Sequence, residues 1–157
     1  MKRIVLTVAA LGFGIAAARA GDGPIDVVRQ LYAQPHPDHS AVYTERLQRL
    51  FDADARQADG AVGNLDFDYR LNGTPLTPST LGDLTFKAAD EGKDRAKGTG
   101  DGKGGRDDGK DGGKDGGRHE TIIYDLVKVG DGWRVDDAHS IGTPKWQLST
   151  ILRAAGH

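Results

Sequence analysis

Asp137 and His139 stand two residues apart in Gly132-Trp133-Arg134-Val135-Asp136-Asp137-Ala138-His139-Ser140-Ile141. In an extended strand that spacing sets both side chains on one face. A carboxylate beside an imidazole can move protons near neutral pH, which makes the two the candidate catalytic pair for chemistry of the isomerase or dehydratase type. A second set of carboxylates, Asp66 and Asp68, alternates with Leu65, Phe67, Tyr69 and Leu71. The pattern predicts an edge strand or extended lip that carries acids to the mouth of a cavity. Tyr32, Tyr69, Trp133 and Trp146 are the large residues available as apolar walls. The candidate ligand-binding residues are therefore Asp66, Asp68, Tyr69, Trp133, Asp137 and His139.

Other chemistry finds less support. No Gly-x-Ser-x-Gly elbow is present, and no electrophilic partner for the Asp/His pair is identifiable. His36-Pro37-Asp38-His39 has metal-like spacing, but Pro35 and Pro37 impose an extended loop and no further His or Cys completes a ligand set. Asp52, Asp54 and Asp59-Gly60 lack the twelfth-position Glu of a calcium loop and read as surface carboxylates. The expectation is no metal, no cofactor and a non-catalytic binding or interaction module, with the Asp/His enzyme as the alternative.

These residues need elements to position them. His119–Val129 and Trp133–Ile141 are β-rich runs about Gly130, Asp131 and Gly132, the strongest hairpin signal in the chain. Period two puts Ile122, Tyr124 and Leu126 on one face, and Trp133, Val135 and Ile141 on one face with Asp137 and His139 between them. Gly23-Pro24 starts a helix bearing Val28, Leu31 and Tyr32. A second helix is predicted over Ala41–Ala58 with a Tyr43, Leu47, Leu50, Phe51 stripe. A strand is expected over Leu81–Ala89, and a terminal helix capped by Thr143 and Pro144 carries Leu148, Ile151, Leu152 and Ala155. Residues 90–118 are almost entirely Gly, Asp, Lys and Arg, a composition that predicts a disordered loop.

The first twenty residues read as a secretory signal peptide: Lys2-Arg3, an apolar run to Ala17, and Ala18-Arg19-Ala20 as cleavage site. Residues 21–157 then form one domain, periplasmic or secreted, with no membrane span. Removing Lys2, Arg3 and Arg19 from 21 basic residues leaves 18 against 23 acidic ones, a net charge of −5 that disfavours nucleic acid as a partner. With no cysteine, an exported chain must hold its fold by its core.

Tyr43-Thr44 with Leu47, Leu50-Phe51-Asp52-Ala53-Asp54, Gly63-x-Leu65-Asp66-Phe67-Asp68, Asn72-Gly73, Tyr124-Asp125-Leu126-Val127, Gly132-Trp133-Arg134-Val135-Asp136-Asp137 and Ser140 together resemble the exported proteobacterial domain of unknown function 3828 family. The resemblance implies an α+β fold of the cone-shaped nuclear transport factor 2-like kind. There a curved antiparallel sheet wraps N-terminal helices and a short C-terminal helix, leaving a pocket at its wide end. It implies no established activity. Where such proteins carry a strand, this chain runs into Lys97-Gly98-Thr99-Gly100, so a shortened or missing central strand is expected. That would leave an open sheet edge, by which an envelope protein could bind as a second alternative to a small ligand. Either a monomer or a dimer fits the sequence.

Overall fold

The computed structural model describes residues 23–73, 77–103 and 119–154; the expected signal peptide lies outside them. The chain is α+β, with one five-stranded antiparallel sheet in the order β1-β2-β3-β4-β5. The strands are β1 Thr85–Gly92, β2 Arg95–Lys103, β3 His119–Val129, β4 Gly132–Ser140 and β5 Trp146–Gln147. The helices are α1 Pro24–Tyr32, α2 Glu45–Ala58, α3 Pro78–Gly82 and α4 Leu148–Ile151, with a 3-10 turn at Tyr69–Leu71.

The central strand expected to be shortened or missing is present, nine residues long. Residues 95–103 form β2 between β1 and β3, so the expectation of a disordered 90–118 loop is corrected for residues 90–103; residues 104–118 lie outside the described part. The reason lies in the alternation of Ala96, Gly98, Gly100 and Gly102 with Lys97, Thr99, Asp101 and Lys103. Period two sends all the small residues inward. There α1 sits directly on the strand: a Cβ at Gly98 would stand 2.6 Å from Val28 Cγ2, and one at Gly100 3.0 Å from Tyr32 Cζ. Leu71 and Leu84 fill the same place over Gly102. Glycine here is required by close approach rather than by flexibility.

Inward from β3 point Ile122, Tyr124 and Leu126, all buried as the hairpin pattern requires. With Val27, Val28, Leu31, Leu47, Phe51 and Leu148 they make the core. Gly130, at φ 61°, makes the turn into β4. Among the described residues no helix is long and apolar enough to cross a membrane.

Three further expectations shift. Helix α2 begins at Glu45, not Ala41, because Thr44 caps it, accepting from the Leu47 N–H at 3.1 Å, while Val42 and Thr44 hydrogen-bond the backbone of Val135. The 63–73 lip is not a strand. Its apolar residues pack against the core, but Asp68 caps the 3-10 turn and Asn72-Gly73 turns away at positive φ. The last helix starts at Leu148 rather than Pro144, since Trp146 and Gln147 first pair with Ser140 and His139 as β5.

Candidate functional site

The Asp137/His139 pair does not face the core side of the sheet. Asp125 pairs with Asp137 but Leu126 with Val135, so Asp136 is an extra residue, a bulge. From there the parity of β4 reverses. Val135, Ala138 and Ser140 are buried against Leu126, Tyr124 and Ile122, while Asp137 and His139 take the opposite face and Ile141 is exposed. The expectation that Trp133, Val135, Asp137, His139 and Ile141 share one face is thereby corrected. The bulge is fastened from α2: Asp136 accepts from Arg46 Nε and Nη2, both at 3.0 Å, and from Thr44 Oγ1 at 2.8 Å. Burial pushes the Asp136 carboxyl up, but the Arg46 and Thr44 hydrogen bonds and the Arg46 charge outweigh it and hold the group below its ordinary value.

Asp137 is fully engaged. Its Oδ1 accepts from the N–H groups of Ala138 at 2.9 Å and Ser149 at 3.0 Å, and its Oδ2 from Gln147 Nε2 at 2.8 Å and Ser149 Oγ at 2.5 Å. Four donors use the acceptor capacity of a carboxylate, so it has no free position from which to take a substrate proton. It serves instead as an N-terminal cap for α4 supplied from β4. His139 lies nearer another acid: its Nδ1 is 3.8 Å from Asp125 Oδ2, and Asp125 Oδ1 accepts from Lys97 Nζ at 2.9 Å.

The other candidates also separate. Asp68 holds Arg70 in a bidentate pair, at 2.9 Å from Nε and 2.7 Å from Nη2. The Arg70 side chain is 2 % exposed and donates through Nη1 to the carbonyls of Leu31 and Gln34. This satisfies a buried cation with one carboxylate and two carbonyls, tying the 3-10 turn to the end of α1. Tyr69 is wholly buried, its hydroxyl bonded to that of Tyr43. Tyr32 donates to the Arg70 carbonyl at 2.6 Å and accepts from Tyr124 at 2.9 Å. Burial pushes all four phenols above their ordinary value, which keeps them neutral hydrogen-bonding groups. Trp146 donates to Asn72 Oδ1 at 2.7 Å and packs edge-on against Phe67 and Tyr69. Trp133 is half-buried against the core. The expected aromatic walls are therefore core.

A cavity does open elsewhere, between the end of α2, the 61–66 segment and α4. It measures about 540 Å³ and is lined by Asp54, Gln57, Asn64 and Asp66 together with Val62, Ile151 and small residues. Of the expected ligand-binding residues it contains Asp66 alone. Asp54 is its deepest charge, 6 % exposed. Its Oδ1 accepts from the Asn64 N–H at 2.9 Å and from Asn64 Nδ2 at 2.6 Å, while Oδ2 takes part in no hydrogen bond among the described residues. A Cβ on Gly63 would come within 2.9 Å of the Asp54 Cγ, so only a residue without a side chain can lie this close against the carboxylate. Asn64 also donates to the Ala154 carbonyl at 3.0 Å, closing the cavity against the C-terminal segment.

Sequence reasoning placed Asp54 on the surface. Its signal was its position: with Leu47 and Phe51 it falls at i, i+4, i+7 on the apolar face of α2, an unusual place for a carboxylate. No group of three or more metal-ligating side chains occurs among the described residues; His39 instead hydrogen-bonds Gln48 at 2.9 Å.

No family model, curated protein or solved structure matches this chain.

Proposed function

We propose that this chain is an exported, non-catalytic binding module whose ligand site is the cavity at the α2–α4 end, taking a small organic cation such as an alkylammonium. The observation that carries the reading is Asp54: a carboxylate 6 % exposed, whose Oδ1 is held by Asn64 while its Oδ2, beside the side-chain-free Gly63, has no hydrogen bond among the described residues and is open to the cavity. Asp66 adds a second negative charge, Gln57 and Asn64 add amides, Val62 and Ile151 add apolar surface, and among the described residues no Lys or Arg lines the space. A cation with a short hydrocarbon body matches that lining in charge and polarity. The enzyme reading loses its support because Asp137 is saturated by structural donors and neither it nor His139 lines this cavity.

Export is supported by the leader-like residues 1–20. The cone-shaped nuclear transport factor 2-like fold is supported by the ordered resemblance to the domain of unknown function 3828 family and by an antiparallel sheet with helices packed on its inner face.

The test is a titration of the ¹⁵N-labelled protein with 1,4-diaminobutane, and in parallel with succinate. The diamine should shift amides in residues 54–66 and 151–154, succinate should not, and Asp54→Asn or Gly63→Ala should abolish the response. Shifts centred on His139, or equal responses to both probes, would overturn the reading.

A further inference from the structure

The two edges of the sheet are treated differently. Beyond β4 the backbone is covered: β5 pairs with His139 and Ser140, residues 42–44 bond Val135 from both sides, and Asp136 bulges. Among the described residues the edge formed by β1 has less cover: its register shifts only between Asp90 and Gly92, where Gly92 takes φ 134°, and the Glu91 carboxylate there stays on the face of Lys97. Among the described residues β1 pairs only with β2, and seven of its eight residues are exposed, Phe86 being half-buried. An eight-residue strand with one free edge is a template for another strand.

Its sequence, Thr85-Phe86-Lys87-Ala88-Ala89-Asp90-Glu91-Gly92, indicates which one. When two copies of a strand pair antiparallel about an axis perpendicular to the sheet, opposed residues lie on the same face and their numbers sum to an even value. With the axis at Ala89, Lys87 of each copy faces Glu91 of the other, Ala88 faces Asp90, and two Ala89 methyls meet at the centre. Moving the axis to Lys87 or to Asp90 sets like charges against each other. An axis at Ala88 leaves Lys87 opposite alanine. Only the Ala89 register is charge-complementary. Glu91 is already on the same face as Lys97, 3.8 Å from its Nζ, so Lys87 of the second copy would complete a Lys-Glu-Lys row.

We propose that β1 is a self-association surface, by which two copies of this chain pair antiparallel about Ala89 into a continuous ten-stranded sheet. The association is weak and concentration-dependent, because it rests on one strand's backbone bonds and two exposed ion pairs. It lies on the sheet edge, whereas the cavity lies between α2 and α4, and it does not depend on the ligand reading.

Sedimentation velocity of the purified protein over a wide concentration range should show monomer–dimer exchange. Lys87→Glu and Glu91→Lys, each opposing like charges twice, should each raise the dissociation constant about tenfold, and the double swap should restore it. Because the chain has no cysteine, single probes are clean. Ala89→Cys should form a disulfide-linked dimer under mild oxidation, its two Cβ atoms being about 5 Å apart across the axis. Ala88→Cys, opposite Asp90, should not. A protein that stays monomeric at millimolar concentration, a dimer indifferent to the charge swaps, or equal crosslinking at positions 88 and 89 would overturn the proposal.

Discussion

Replacing Asp137 by alanine separates a structural carboxylate from a catalytic one. In the folded chain its Oδ1 is an acceptor for the N–H groups of Ala138 and Ser149, both in residues at most 2 % exposed. Each donor left without that acceptor costs about 1–3 kcal/mol. The N-cap residue of α4, Gln147, makes no side-chain capping bond of its own, so removal of Asp137 also uncaps the helix, at about 1 kcal/mol. Allowing for some relaxation, Asp137→Ala should lower unfolding stability by about 3–5 kcal/mol. Asp137→Asn keeps the Oδ1 acceptor but turns an amide donor towards Gln147 Nε2 and Ser149 Oγ, and should cost about 1–2 kcal/mol. His139→Ala, with a half-buried ring on the outer face, should stay within about 0.5 kcal/mol of the parent. Urea denaturation followed by tryptophan fluorescence measures all three. An Asp137→Ala protein as stable as the parent would show that these four hydrogen bonds do not hold α4 to β4 and would leave the carboxylate open to a functional role.

Gly98→Ala should destabilise by about 1–3 kcal/mol, because the new methyl meets Val28 Cγ2 at 2.6 Å and a β-branched helical side chain has little rotamer freedom to yield. Adding Val28→Ala should make the pair less costly than the sum of the single changes, as thermal melts of the cycle would show; strict additivity would count against the contact. The Asp136 carboxyl is held below its unfolded value, so its stabilising contribution is fully present above that unfolded value and is lost as the pH falls through the folded one. Arg46→Met should therefore cost about 1 kcal/mol near pH 7 and progressively less below about pH 4. A stability gap that does not narrow in acid would contradict the pairing.

The parts of the fold legible in the sequence were those in which apolar residues carry the period. Ile122, Tyr124 and Leu126 announced β3, and Pro24 with Val28, Leu31 and Tyr32 announced α1. Strand β2 was hidden because its inward positions are alanine and glycine, which hydrophobic patterning cannot register. The signal was a strict alternation of small with polar residues from Ala96 to Lys103, and its explanation sits on another element, in the volumes of Val28 and Tyr32. The face of Asp137 and His139 was misread for a different reason. A single extra residue reverses strand parity, and what fixes the bulge at Asp136 is Arg46, ninety residues away in the chain. Of the candidate site only Asp66 was found in advance; Asp54 was visible as a carboxylate on an apolar stripe, and Asn64 and Gly63 acquire meaning only once they fold over it.

The whole arrangement depends on α1 resting against a glycine-faced strand in the middle of the sheet. Native-state hydrogen exchange of the amides in residues 95–102 measures this directly, since a strand hydrogen-bonded on both sides opens only with large-scale unfolding. These amides should be protected as strongly as those of Ile122 to Leu126. Exchange at the rate of an unstructured glycine-rich chain would contradict that packing.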